Sequence, residues 1–317
     1  MASESEGSVA LAASCNCGAF RLEVARGPLQ VRACHCSLCR RQSGGALAVL
    51  AAFPREVVSP ALEACQHLRR YRSSEAASRL FCGRCGCFLC MDRGAPETVW
   101  ASLALFKDVP EHFLKGCGDA CKTFIEDEAP WLSTVLALPA MERFGTYVLD
   151  PCNAASLTRW DGVVVECNSS RAARKPPLLA ARCNCRAFSV QVAAFNAQTL
   201  ACHCSLCRKQ GGAPFIVGIA LPREPLAPAL AEAAAYGSTE WASRLFCATC
   251  GCFLCMDYKE PESLWAILGV FDDVPPEELV GSRHASCQVF AESKPSWSET
   301  VLSLQAGQGR FSSGSDP

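Results

Sequence analysis

The sequence lacks a charge bias and any apolar run of membrane length. Its 30 basic and 31 acidic residues leave a net charge of −1, with no cluster of Lys and Arg. This balance argues against a nucleic-acid or anionic-membrane partner. The longest mainly apolar runs, at 45–53 and 214–221, are far shorter than the roughly 20 residues that cross a bilayer. Half the residues are apolar and 19% are charged, which favours folded domains over a disordered chain.

The N-terminal segment also lacks the features of an export or transit signal. Residues 1–14 contain Glu4 and Glu6 but neither Lys nor Arg, and they have no sustained apolar stretch. A secretory signal has a basic start and an apolar core, and a transit peptide is rich in Arg. We therefore expect a cytoplasmic protein in a reducing environment. The 24 cysteines are then expected to bind metal rather than to form disulfides.

The chain consists of two tandem copies of one unit. The segment Ala33–Arg40 recurs unchanged as Ala201–Arg208, a shift of 168 positions, and Ser78–Cys82 recurs as Ser243–Cys247, a shift of 165. Solenoid repeats are about 20–50 residues long, so this period indicates two domains. We predict a first domain over 12–145, a linker over 146–179 and a second domain over 180–312.

The hydrophobic pattern of each copy is mostly that of β-strands. Alternation of apolar and polar residues predicts half-buried strands at 20–24 and 188–192. Short apolar runs predict buried strands at 47–53, 99–106, 215–221 and 264–271, and Val163–Val165 could add a short one. Only 61–70 and 229–236 have a helical pattern. We interpret each copy as a small all-β domain whose core is supplemented by metal.

The cysteine spacing divides each copy into two candidate zinc sites. Each copy has C-x-C, then C-x-C-x-x-C, then C-x-x-C-x-C-x-x-C. Zinc prefers four tetrahedral ligands in a structural site, and the first pair combined with the third cluster supplies four thiolates. The remaining three cysteines fit the catalytic pattern of three ligands and an open position, which suits a substrate thiol. The four-cysteine sets are Cys15, Cys17, Cys82, Cys85 and Cys183, Cys185, Cys247, Cys250; the three-cysteine sets are Cys34, Cys36, Cys39 and Cys202, Cys204, Cys207.

Several other residues allow two interpretations. Cys87 or Cys90, and Cys252 or Cys255 in the second copy, either close the three-cysteine site or are buried free thiols. His35 and His203 lie between two proposed ligands and should point away from the metal, as a substrate contact, a support for the ligands or a surface residue. The pairs Arg40–Arg41 and Arg208–Lys209 are either solvated or bind a substrate carboxylate. The glycines at 44–45 and 211–212 fit a turn, and they could let the backbone approach a ligand.

Taken together, the clusters resemble the glutathione-dependent formaldehyde-activating enzyme family, which includes centromere protein V. The resemblance rests on Cys15–Gly18, Cys34–Arg40, Phe81–Gly86 and the closing Ala129–Trp131, and the second copy repeats the cysteines and Trp297. It implies two β-tent domains, a structural zinc on each four-cysteine set and a catalytic zinc on each three-cysteine set, four ions per chain. One departure is Arg186, which replaces the counterpart of Gly18.

The activity implied by the resemblance is that of a carbon–sulfur lyase, in which glutathione and formaldehyde form S-hydroxymethylglutathione. An activated thiolate attacks a carbonyl carbon, and the protein supplies proximity and a deprotonated sulfur. Two other classes remain open at this point. A non-catalytic zinc scaffold would have closed metal sites, and an iron–sulfur protein would use the same clustered thiolates.

Overall fold

The fold of the chain is described from a computed structural model. The described residues are 10–115, 117, 120–140, 178–193, 199–221, 223, 226–259, 262–272, 274–279 and 286–307. The predicted strand at Val163–Val165 and most of the predicted linker lie outside these ranges.

The first copy, called repeat 1, contains nine strands and four α-helices within the described residues. The strands are β1 (Leu11–Ser14), β2 (Arg21–Val24), β3 (Gln30–Cys34), β4 (Ala48–Pro54), β5 (Leu68–Ser74), β6 (Ala77–Cys82), β7 (Phe88–Asp92), β8 (Thr98–Ser102) and β9 (Ala120–Thr123). The helices are α1 (Ser37–Ser43), α2 (Arg55–Glu63), α3 (Glu111–Lys115) and α4 (Leu132–Leu136), with 3₁₀ turns at Leu103–Leu105 and Ile125–Asp127.

The second copy, called repeat 2, has the same elements in the same order. The strands are β10 (Leu178–Arg182), β11 (Ser189–Ala193), β12 (Thr199–Cys202), β13 (Ile216–Leu221), β14 (Ala233–Gly237), β15 (Ala242–Cys247), β16 (Phe253–Lys259), β17 (Glu262–Ile267) and β18 (Cys287–Val289). The helices are α5 (Ser205–Gly211), α6 (Ala227–Leu230), α7 (Pro276–Leu279) and α8 (Ser298–Leu302), with 3₁₀ turns at Leu268–Val270 and Ala291–Ser293.

Each repeat folds into a two-stranded hairpin and a seven-stranded sheet. The sheet of repeat 1 has the order β5-β6-β7-β8-β4-β3-β9, and that of repeat 2 has the order β14-β15-β16-β17-β13-β12-β18. Neighbouring strands are antiparallel except β3 with β9 and β12 with β18, which are parallel. The prediction of two mostly β domains is therefore confirmed. None of the described helices is long and apolar enough to cross a membrane.

The helix predictions from sequence were largely wrong. The predicted helix at 61–70 overlaps only the end of α2, and from Leu68 onward the chain forms edge strand β5. The predicted helix at 229–236 overlaps α6 and then becomes edge strand β14. Pairing of each edge strand with its neighbour, β6 or β15, overrides the weak local preference.

The two repeats dock through reciprocal backbone contacts. Val49 N donates to the Gly212 carbonyl over 2.9 Å, and its counterpart Val217 N donates to the Gly44 carbonyl over 3.4 Å. Helix α1 packs against the 3₁₀ turn Leu268–Val270, and α5 packs against the matching turn of repeat 1. Each of these contacts occurs twice, once with the roles of the two repeats interchanged, as an approximate twofold symmetry would give.

The end of each repeat also extends the sheet of the other. Gln288 N, on β18, donates to the Pro139 carbonyl over 2.8 Å. Lys122 N, on β9, donates to the Gln305 carbonyl over 2.9 Å, and Gly307 N returns a bond of 2.9 Å to the Lys122 carbonyl. An edge strand of each sheet is therefore covered by the other half of the chain, which removes an exposed edge.

Candidate metal centres

The four-cysteine set of repeat 1 assembles from two turns that are distant in sequence. Cys15 and Cys17 lie in the turn between β1 and β2, whereas Cys82 and Cys85 lie where β6 turns into β7. Cys17 Sγ is 3.6 Å from both Cys15 Sγ and Cys82 Sγ. The edge of a tetrahedron with zinc–sulfur bonds of 2.3 Å is about 3.8 Å, so the four thiols fit a zinc ion.

Repeat 2 builds the same set in the same way. Cys185 Sγ lies 3.5 Å from Cys183 Sγ and 3.4 Å from Cys247 Sγ. Arg186 adopts the turn that Gly18 adopts in repeat 1, with a φ of 64° against 75°. A left-handed conformation is unfavourable for a residue with a side chain, so repeat 2 keeps the turn at some cost in strain.

The three-cysteine sets form at the start of a short helix. Cys34 ends β3, Cys36 precedes the first residue of α1, and Cys39 lies within α1. Their sulfurs lie within 4.8 Å of one another, as do those of Cys202, Cys204 and Cys207 in repeat 2. None of the cysteines of these sets forms a disulfide in the described structure, which leaves their sulfurs available for metal. The sets therefore have a suitable donor chemistry and spacing for zinc with three protein ligands.

One arginine contacts the third cysteine of each three-cysteine set. Arg79, on β6, donates from Nη2 to Cys39 Sγ over 3.3 Å. Arg244, its counterpart on β15, donates from Nη2 to Cys207 Sγ over 3.4 Å. Hydrogen bonds from the Cys34 and Cys36 thiols hold the pKa of Cys39 well below its usual value, and the charge of Arg79 adds to this effect.

The sequence analysis did not identify these arginines as functional. The available signal was a charged residue that recurs in the otherwise mostly apolar strand segment Ser78–Cys82 and its copy Ser243–Cys247. The aromatic residues beside the sets were also missed. Phe124 packs against the three-cysteine set of repeat 1, and both Phe124 and its counterpart Phe290 have a φ of 56°. Strained backbone of this kind is concentrated near functional sites.

Both histidines between ligands are buried, which excludes the surface interpretation. His35 is 0% exposed and His203 is 2% exposed. Burial lowers the pKa of His203 to about 4, and it also lowers the pKa of His35, so both rings are neutral near pH 7. His203 Nε2 lies 3.0 Å from Gln288 Oε1, and the Gln288 amide donates to the Leu136 and Leu138 carbonyls of repeat 1. His203 therefore connects its set to the repeat interface rather than to open solvent.

The additional cysteines do not join the three-cysteine sets in the described structure. Cys87 lies beside the four-cysteine set, where its sulfur accepts a hydrogen bond of 3.3 Å from Asn16 N. Cys252 does the same with Asn184 N, also at 3.3 Å. Cys90 and Cys255 are fully buried, and burial raises the pKa of both thiols. This geometry favours the free-thiol interpretation of all four.

The basic residues after the third cysteine lie in the repeat interface. Arg41 Nη2 pairs with Asp272 Oδ1 of the other repeat over 2.9 Å. Lys209 Nζ donates to Ser14 Oγ over 2.9 Å, and Arg208 Nε donates to the His203 carbonyl over 3.1 Å. Arg40, Arg41 and Arg208 are buried. The interpretation as a solvated charge is thus wrong for Arg41, and the binding of a substrate carboxylate by these residues stays a prediction.

The glycines near the three-cysteine sets serve the same interface. A Cβ on Gly45 would lie 2.8 Å from the Phe215 carbonyl oxygen, and one on Gly211 would lie 2.0 Å from that of Ser43. These residues allow close approach between the two repeats rather than to a ligand. The φ values of Gly44 and Gly212, 71° and 83°, end helices α1 and α5 as the predicted turn requires.

One asparagine in each four-cysteine turn forms a hydrogen bond with helix α1 or α5 of the other repeat, which carries the last cysteine of a three-cysteine set. Asn16, between Cys15 and Cys17, donates from Nδ2 to the Leu206 carbonyl over 2.9 Å. Asn184 donates in the same way to the Leu38 carbonyl over 3.0 Å. Leu206 and Leu38 immediately precede Cys207 and Cys39 in the sequence. Each four-cysteine set is therefore linked by one hydrogen bond to the helix that carries the last cysteine of the other repeat's three-cysteine set.

Comparison with known proteins agrees with this arrangement of two equivalent halves. The family model described as glutathione-dependent formaldehyde-activating enzyme matches residues 10–123 and again 178–292, which together make up most of the chain. Neither the curated proteins nor the solved structures include a match. The chain belongs to the glutathione-dependent formaldehyde-activating enzyme family, with one copy of the family domain in each half.

Proposed function

We propose that the chain is a zinc-dependent carbon–sulfur lyase that joins glutathione and formaldehyde into S-hydroxymethylglutathione. Each half, over 12–145 and 180–312, is one such unit with two zinc ions, so the chain holds four. The observation that carries the proposal is the pair of three-cysteine sets, since three protein ligands leave a position for substrate. The family match supports this choice of thiol and aldehyde.

The proposed catalytic groups are the three-cysteine sets themselves. They are Cys34, Cys36 and Cys39 in repeat 1, and Cys202, Cys204 and Cys207 in repeat 2. Zinc bound there would deprotonate an incoming thiol at neutral pH. Cys36 is half-buried while Cys34 and Cys39 are buried, so the substrate approaches from the side of Cys36.

The chain then mainly orients the two reactants. The glutathione sulfur forms a bond to the carbonyl carbon, the carbon–oxygen double bond becomes single, and the oxygen takes up one proton in place of the one lost by the thiol. Phe124 packs beside the cysteines as an apolar wall, and the neutral His35 ring adds no charge of its own. Proximity of the two reactants accounts for most of the expected rate gain.

The test is the rate of exchange between formaldehyde and its glutathione adduct, followed by NMR with ¹³C-formaldehyde. We expect Cys36→Ser and Cys204→Ser each to remove the contribution of one repeat, and the double variant to fall to the uncatalysed rate. Cys117→Ser is the matched control, because this thiol lies outside both kinds of set. A folded double variant that retains the wild-type rate would show that the three-cysteine sets are not catalytic. The non-catalytic zinc scaffold would then be the favoured interpretation.

A further inference from the structure

In each three-cysteine set, one buried guanidinium donates a hydrogen bond to a cysteine sulfur. Arg79 and Arg244 are each 3% exposed, and each donates to the sulfur of the third cysteine, Cys39 or Cys207. Arg79 is also held at its other Nη atom by the Ser73 hydroxyl. The same contact occurs in both halves of the chain, so it is a feature of the unit and not of one copy.

Each of these arginines needs a counter-charge, and a three-cysteine set lies beside it. Within the part of the chain that the structure describes, neither Arg79 nor Arg244 makes an ion pair with a carboxylate. A guanidinium keeps its charge at any physiological pH. Burial of a charge without a partner is strongly unfavourable. Thiolates of the three-cysteine set would supply the counter-charge that each of these guanidinium groups needs.

The charges balance when each set holds one divalent ion. Three thiolates and a divalent cation carry a net charge of minus one, which one guanidinium neutralises. In the described structure the sulfurs of the four-cysteine sets accept hydrogen bonds from backbone amides and from no arginine. Phe20 N donates to Cys15 Sγ and Phe188 N donates to Cys183 Sγ, both over 3.3 Å. The arginine therefore distinguishes the three-cysteine sets from the structural ones.

We infer that Arg79 and Arg244 are positioning residues that act through the third cysteine. Each supplies the counter-charge that keeps three thiolates on one divalent ion, and each leaves the loaded centre neutral before substrate binds. A neutral centre accepts one further anionic sulfur ligand, whereas an uncompensated negative centre would repel it. The inference depends on the proposed function only for the identity of that ligand, a thiolate.

The test measures zinc affinity in the full-length chain without glutathione or formaldehyde, by competition with a chromophoric chelator. Arg79→Gln should weaken one zinc site about tenfold to a hundredfold, which is the range expected for a hydrogen bond to a charged group. Arg244→Gln should do the same in repeat 2, and Arg79→Lys should restore part of the affinity. Arg72→Gln, which removes an exposed positive charge from β5, is the matched control and should have no effect.

The absorption spectrum of the cobalt-substituted protein gives a second measurement, which a loss of packing alone would not change. Without the Arg79 hydrogen bond the Cys39 thiolate gives up charge more readily, so the thiolate-to-cobalt absorption band should move to lower energy in Arg79→Gln and return in Arg79→Lys. Unchanged zinc affinity and an unchanged band in both glutamine variants would overturn the inference.

Addition of glutathione to the same samples separates the inference from the proposed function. If the glutamine variants lose zinc affinity but the wild-type cobalt spectrum ignores glutathione, the arginines are counter-charges and the proposed function fails. If the wild type binds glutathione and the glutamine variants match it in zinc affinity, cobalt spectrum and glutathione binding, the proposed function stands and the inference is wrong.

Discussion

Replacement of Gly211 by alanine should destabilise the docking of the two repeats. Gly211 is the last residue of α5, and a Cβ there would lie 2.0 Å from the Ser43 carbonyl oxygen of repeat 1 and 3.0 Å from Ile216 Cγ2. The two backbones would have to separate by about 1 Å or more to reach a normal contact. The neighbouring atom belongs to a backbone, so it cannot move aside as a flexible side chain would.

The expected cost is the strain of overpacking minus a gain in helix propensity. Overpacking of a close contact costs about 1–3 kcal/mol or more, and alanine in place of glycine returns at most about 1 kcal/mol in a helix. The approach to 2.0 Å places this contact at the upper end of the overpacking range, so we expect a net loss of about 2 kcal/mol. The matched control is Gly237→Ala at the end of β14, where an added Cβ would meet nothing within 4 Å. That variant should stay within about 0.5 kcal/mol of the wild type.

The assay is urea unfolding of the zinc-loaded chain, followed by far-UV circular dichroism and tryptophan fluorescence. Gly211→Ala should unfold at lower urea than Gly237→Ala. Equal midpoints for the two variants would refute the close contact between α5 and Ser43, and with it the described docking of the repeats.

Two further predictions concern acid stability and the link between the repeats. The hydrogen bond from Arg55, at 2.6 Å, lowers the pKa of Asp92 to about 2. Since the folded pKa lies below the unfolded value near 3.9, this stabilisation is full above about pH 5 and is lost progressively as the pH falls toward 2. Asp92→Asn should therefore cost about 1–2 kcal/mol at pH 7 and less at pH 3, as urea midpoints at both pH values would show; an equal loss at both would contradict it. Asn16→Ala removes the bond to the Leu206 carbonyl. It should lower zinc affinity at the three-cysteine set of repeat 2 more than at that of repeat 1, and Asn184→Ala should do the reverse; equal effects on both sets would argue against the link.

The parts of the fold that depend on local pattern could be predicted from the sequence. The alternating segments form β2 and β11, and the apolar runs at 47–53 and 215–221 form β4 and β13 with an offset of one residue. The ends of the runs at 99–106 and 264–271 form 3₁₀ turns instead of strand. The cysteine spacing also grouped the thiols as the structure brings them together, because a metal site needs its ligands at one point in space.

The contacts between the repeats could not be predicted from the sequence. The sequence alone suggests that Arg41 is a surface residue. Its burial is explained by the ion pair with Asp272 of the other repeat. The sequence does not show whether Gly45 and Gly211 lie against a ligand or against the backbone of the other repeat, because glycine suits both positions. The role of Arg79 could not be predicted, because its hydrogen bond to Cys39, 40 residues away in the sequence, is visible only in three dimensions.

The most direct test of the account is native mass spectrometry of the purified chain with and without glutathione. We predict four zinc ions per chain, one for each cysteine set, and glutathione bound to the wild type but not to the Cys36→Ser and Cys204→Ser double variant. The double variant should keep the two ions of the four-cysteine sets. A wild-type chain with four zinc ions that binds no glutathione would contradict the claim that the three-cysteine sets are open to a substrate thiol.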